Sequence, residues 1–93
     1  MAKFGKIISS STPTLIIFHL VNPSDDLVLD IANALGDKAR VIKIDVDKNK
    51  QLVEALRIKT TPTFVIYKES EMKWRQSGEQ KADFLIKLVR QFI

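Results

Sequence analysis

Three runs of apolar and β-branched residues, separated by segments of helical spacing, constrain the fold of this chain most. The runs occupy residues 14–20, 39–46 and 63–67. The first of these runs is continuous, as is typical of a strand that is covered on both faces. Between the first two runs, Leu27, Ile31 and Leu35 recur at the spacing of one helix face. The pattern therefore predicts an α/β domain, in which helices cover both sides of a sheet.

The rest of the chain completes this pattern. Residues 3–9 predict a short helix, and Asp47 is the expected N-cap of a helix that carries residues 52–56. Residues 72–77 alternate as in a strand with one buried face, and residues 80–92 predict an amphipathic helix. Ser24 is the expected N-cap of the second helix, and Gly36 its end. The predicted order is α-β-α-β-α-β-β-α with a mixed four-stranded sheet.

Composition argues against several classes of partner. The chain has 93 residues, which suits one domain over 1–93, and 45% of them are apolar. Its net charge of +4 comes from cations interleaved with acids, so we expect no nucleic-acid partner. The longest apolar run is interrupted by His19 and is too short to cross a membrane. No signal-peptide pattern begins the sequence, and we expect a cytoplasmic monomer that has no membrane contact.

A resemblance to a known family rests on the segment Thr60-Thr61-Pro62-Thr63 and on its surroundings. This segment is similar to the proline-strand signature of the thioredoxin family. Residues 41–47 resemble the family's central strand that ends in aspartate, and Gly78 matches the glycine before its last helix. The resemblance implies a three-layer α/β/α thioredoxin-like fold and a cis bond before Pro62. It also implies the sheet order 39–46, 14–20, 63–67, 72–77, in which only the first two strands are parallel.

The chain departs from the family where the family's chemistry lies. If Pro23 matches the family's active-site proline, Val21 and Ser24 replace its two cysteines. Ile17 falls at its buried aspartate, and the segment 18–32 is shorter than its counterpart. Thiol–disulfide exchange requires a thiolate, and this chain contains no cysteine. We therefore predict neither an oxidoreductase nor any other enzyme, and no cofactor.

The resemblance predicts a contact surface in the vestigial active-site groove, where a peptide or protein partner would bind. The alternative is a domain that binds a glutathione-like ligand, or belongs to redox homeostasis by descent, without thiol chemistry of its own. Pro62 itself has two explanations: the turn is required by the fold alone, or Thr61 presents its backbone to an extended peptide. The predicted groove residues are His19, Val21, Asn22, Pro23, Ser24, Thr60, Thr61, Pro62 and Gly78.

Three polar residues have simpler explanations than catalysis. Ser24 lacks a motif that would supply a base, so helix capping explains it better than nucleophilic attack. His19 is the only histidine, and a single histidine does not make a metal site. Lys43 lies in an apolar strand; we expect that it either reaches solvent or pairs with Asp45 or another acid.

Overall fold

A computed structural model describes residues 2–93; Met1, the first residue of the predicted domain, lies outside the described residues. The predicted order of helices and strands is confirmed. The elements are α1 (Ala2–Ile8), β1 (Thr14–His19), α2 (Asp25–Leu35), β2 (Arg40–Asp45), α3 (Lys50–Ala55), β3 (Thr63–Lys68), β4 (Glu71–Ser77) and α4 (Ala82–Arg90), with a 3₁₀ turn at Gly36–Lys38. Within this range, no helix combines the length and apolar character needed to cross a membrane.

The four strands form one mixed sheet in the order β2-β1-β3-β4. β1 is parallel to β2 and antiparallel to β3, and β3 is antiparallel to β4. The predicted strand order and directions are therefore confirmed. All six residues of β1 are buried, because neighbouring strands cover both edges of β1 and helices cover both faces.

Alternation along β1 divides the core into two clusters. Leu15 and Ile17 face α2 and α4, where they pack with Ile31 and Leu85. Ile16 and Phe18 face the opposite side, in a cluster that includes residues of α1 and α3. Burying one such side chain contributes about 1.5–3 kcal/mol. Both faces of the sheet are therefore held by apolar packing, and the ends of the strands remain for other uses.

The N-terminus of α2 is capped as predicted, whereas α3 begins differently. The Ser24 hydroxyl accepts a hydrogen bond of 3.2 Å from the Asp26 N–H. The N-cap of α3 is Asn49, so the prediction of Asp47 as its cap is wrong. The Asp45 carboxylate accepts the N–H of Asp47 at 2.8 Å, and this turn delays the start of the helix.

A register shift in the β3–β4 pair changes the predicted faces of β4. Met72 lies opposite Tyr67 and Trp74 opposite Ile66, because an irregularity adds one residue on β4. Met72 is 42% exposed and Trp74, on the same side of a regular alternation, is only partly buried, so the strand does not have the single buried face that the alternation predicts. Trp74 packs edge-on against Phe84 at a ring distance of 6.0 Å.

Four of the chain's fifteen lysines and arginines lie at the C-terminal ends of helices. The last carbonyls of a helix have no intrahelical donor and carry the negative end of its dipole. At or just beyond the C-terminus of each of the four α-helices, a cation from elsewhere donates to a backbone carbonyl. The bonds are Arg40 to Ile7 O (3.4 Å), Arg90 to Ala34 O (3.3 Å), Arg75 to Leu56 O (2.6 Å) and Arg57 O (2.9 Å), and Lys68 to Phe92 O (2.7 Å).

Side-chain carboxylates bind fewer of the cations than backbone carbonyls do. Over residues 2–93, the one side-chain ion pair joins Lys73 Nζ to Glu71 Oε2 at 2.8 Å. Lys43 is exposed on the edge strand β2, so it reaches solvent, which was one of its two predicted outcomes.

Candidate functional site

A groove of about 420 Å³ opens at the carboxyl end of β1, between the β1–α2 loop and the loop before β3. The first loop follows β1 and the second precedes β3. Because both strands are buried in one sheet, the sheet fixes the distance between the two loops. The lining residues are Ile17, His19, Leu20, Val21, Asn22, Pro23, Ser24, Leu27, Thr61, Pro62, Phe64 and Glu79.

The floor of the groove is apolar and belongs to the core. Ile17 and Phe64 are paired across β1 and β3, and they are 0% and 1% exposed. Both belong to the core cluster beneath α2 and α4. Neither side chain has a titratable group, so this part of the floor cannot exchange a proton.

The first wall is the β1–α2 loop, residues 20–24. It presents two apolar side chains to solvent: Leu20 is 53% exposed and Val21 is 82% exposed. Its far end is fixed by the Ser24 cap on the Asp26 N–H. The Ser24 hydroxyl therefore serves as an acceptor in the helix cap, as predicted, and the wall offers apolar contact rather than a nucleophile.

The second wall is the loop that contains the cis bond between Thr61 and Pro62. The carbonyls of the residues on either side of Thr61 accept hydrogen bonds from other groups of the protein. The Thr63 hydroxyl donates to Thr60 O at 2.6 Å, and the Gly78 N–H donates to Pro62 O at 2.9 Å. The exposed Thr61 has no hydrogen bond from its N–H or C=O to any residue within 2–93. Its backbone is therefore available for an added strand.

His19 lies at the inner end of the groove. It is 5% exposed, and its Nδ1 atom has no hydrogen-bond partner in the described part of the chain. Its carbonyl accepts the Val46 N–H at 2.9 Å, which fixes the strand but leaves the ring nitrogen unpaired. No group of three metal-ligating side chains occurs among residues 2–93.

Charge in the groove comes from a single lining residue, Glu79. The two groups with shifted pKa values lie on the β3–β4 side and do not line it. Burial raises the pKa of Tyr67, and the nearby Arg75 opposes this effect in part. The hydrogen bond from Lys73 lowers the pKa of Glu71.

Seven of the nine predicted site residues line the groove, and two do not. Thr60 and Gly78 instead hold the second wall from behind through the bonds described above. The sequence prediction missed Ile17, Leu20, Leu27, Phe64 and Glu79. Strand alternation could have found two of them, because Ile17 lies two residues before His19 and Phe64 two residues after Pro62.

Comparison with known proteins identifies the family of this chain. The thioredoxin family model matches residues 23–91. The chain belongs to the thioredoxin family. It is 31% identical over 94 residues to chloroplastic thioredoxin Y of rice, covering 95% of this chain and 56% of that protein. It is 30% identical over 100 residues to thioredoxin-1 of Drosophila yakuba, covering 97% of this chain and 94% of that one.

A solved structure supports the same assignment. Chloroplastic thioredoxin z superimposes with a TM-score of 0.84 at 25% identity, covering 98% of this chain and 88% of that chain. The chain thus spans little more than half of the rice thioredoxin but nearly all of the fly thioredoxin. This thioredoxin-family domain differs from the family's chemistry in one decisive respect, because it has no cysteine. None of its own residues can supply the thiolate that disulfide exchange requires.

Proposed function

We propose that this thioredoxin-family domain is a redox-inactive binding module, and that it holds an extended peptide or protein segment in the groove. The observation that carries the proposal is the unpaired backbone of Thr61 at the edge of an open groove. An extended peptide can satisfy such groups by strand addition, while its side chains enter neighbouring pockets.

The exposed apolar residues support the same proposal. Val21 and Leu20 stand on the wall opposite Thr61, and both expose more than half of their surface. A partner that covers them removes apolar area from water, which favours association. The cationic surface is a weaker candidate, because its lysines and arginines are dispersed among acids along the chain and four of them are already bonded to backbone carbonyls at helix ends.

A glutathione-like ligand is less well supported. Such a tripeptide carries two carboxylates, and we would expect its site to offer cationic donors. The groove lining contains no lysine or arginine, and its one charged residue is the acid Glu79. The charge of the groove therefore favours a peptide segment over this ligand class.

The test begins with a library of random extended peptides selected on the immobilised domain. A selected peptide is then titrated into isotopically labelled protein, and backbone amide shifts are followed by NMR. We expect the shifts to concentrate in residues 20–24 and at Thr61. Shifts that map instead to the Lys81–Arg90 face would contradict the proposal and favour an electrostatic contact on α4.

Salt dependence gives an independent measurement. A groove contact of this kind should weaken only modestly between low and physiological salt, because little charge is involved. A contact made by the dispersed lysines and arginines would weaken steeply over the same range. A steep decrease would therefore count against the groove.

A further inference from the structure

We infer that the groove selects an extended segment that carries a cationic side chain beside its apolar residue. This inference rests on the proposed function and specifies the chemistry of the partner. Its basis is the contrast between the charge of the groove and the charge of the whole chain, together with an exposed carboxylate on the groove lining.

The groove reverses the charge balance of the protein. The chain has 15 lysines and arginines against 11 acids, yet the groove lining contains Glu79 and no cation. Asp25 and Asp26 follow the first wall directly and are exposed at the start of α2. Lys59 and Lys81 are close in sequence to residues that line the groove, but neither lysine lines it. A partner that enters the groove therefore meets acidic groups, although the chain as a whole carries a net positive charge.

Glu79 supplies the second observation. Its side chain is exposed and lines the groove. An ionised carboxylate accepts hydrogen bonds and donates none. An occupant that brings N–H donors to this part of the groove therefore suits it in hydrogen bonding as well as in charge.

Arginine is the side chain that meets both requirements best. Its guanidinium carries a full positive charge and five N–H donors, and it accepts none. An extended segment with valine or leucine for the apolar wall and arginine beside it would match the groove in charge, donors and apolar contact. Acidic segments would place like charge against Glu79.

The experiment uses capped extended peptides built on one sequence, with arginine, its neutral isostere citrulline, or glutamate placed at each position in turn. Capping removes the terminal charges that would confuse the comparison. Affinities are measured for the unmodified domain, for Glu79→Gln and for Glu54→Gln. Glu54 is an exposed acid on α3 that does not line the groove, so it is the matched control.

At one position we expect the arginine peptide to bind about two- to fivefold more tightly than the citrulline peptide. Glu79→Gln should abolish this preference, and Glu54→Gln should retain it. If all three peptide series bind equally, the inference is wrong while the proposed function stands. If the preference survives in Glu79→Gln, the assignment to the groove acid is wrong. If no peptide binds the unmodified domain, the proposed function itself fails.

Discussion

Arg75 offers the sharpest test of what stabilises this domain. Its guanidinium donates to Leu56 O at 2.6 Å and to Arg57 O at 2.9 Å, at the C-terminus of α3. Hydrogen bonds that involve a charged group contribute about 1.5–3 kcal/mol each when they are sheltered from water. One bond is partly buried and the other is exposed, so we expect Arg75→Met to cost about 2 kcal/mol. Methionine keeps the apolar stem, so the loss reports the guanidinium.

The same strand provides the control. Lys73 lies two residues away and forms the ion pair with Glu71 at 2.8 Å, yet exposed pairs of this kind contribute little. For a domain of this size, 2 kcal/mol corresponds to a decrease in Tm of roughly 8–16 °C, measured by thermal unfolding. Lys73→Met should leave Tm nearly unchanged, and Arg75→Lys should be intermediate because an ammonium lacks the planar fork. Equal decreases for Arg75→Met and Lys73→Met would refute the reasoning.

The remaining predictions concern the groove and the alkaline limit of the fold. In an insulin-reduction assay with dithiothreitol, the reaction with the protein should be no faster than the protein-free reaction. The double variant Val21→Cys, Ser24→Cys should have weak activity at most, because the loop is short and Ile17 supplies no base. Activity of this variant equal to that of a working thioredoxin would show that the loop geometry is preserved. Val21→Ala should weaken a groove-binding peptide about ninefold, because it removes two methyl groups worth about 0.8 kcal/mol each and a peptide can newly bury only the 82% of the side chain that is exposed in the free protein. Leu29→Ala, which alters an exposed apolar residue outside the groove, should not change that affinity, and an equal effect of both variants would place the contact elsewhere. The raised pKa of Tyr67 means that the folded state binds its proton more tightly than the unfolded chain, so stability should fall as pH rises above 10.0. Tyr67→Phe should lose less stability over that range, and a tyrosinate absorbance titration at or below the ordinary pKa would contradict the shift.

The sequence predicted the two central strands well because β1 and β3 are buried along nearly their whole length. The four inner positions of β1 are all apolar, and this pattern is visible without any knowledge of its neighbours. The Ser24 cap was also predictable, since capping depends on residues that are adjacent in the chain.

Features that depend on a local competition or on a distant partner were not predictable in the same way. The start of α3 was misplaced because the Asp45 carboxylate binds the N–H of Asp47 and holds a turn there. Glu79 follows β4 in the sequence and meets the groove only through the folded sheet. The β3–β4 register contains an irregularity between Met72 and Trp74, for which the alternating sequence gave no signal.

The absence of sulfur in the groove changes how any occupant would leave it. A thioredoxin with its thiols can hold a partner through a mixed disulfide, and release then requires a second chemical step. Val21 and Ser24 allow no such bond, so an occupant would depart at its own dissociation rate. Occupancy would follow partner concentration and Kd alone, and it would stay the same when the glutathione balance of the surroundings shifts. Residence time would take the place of redox state as the quantity that controls the complex.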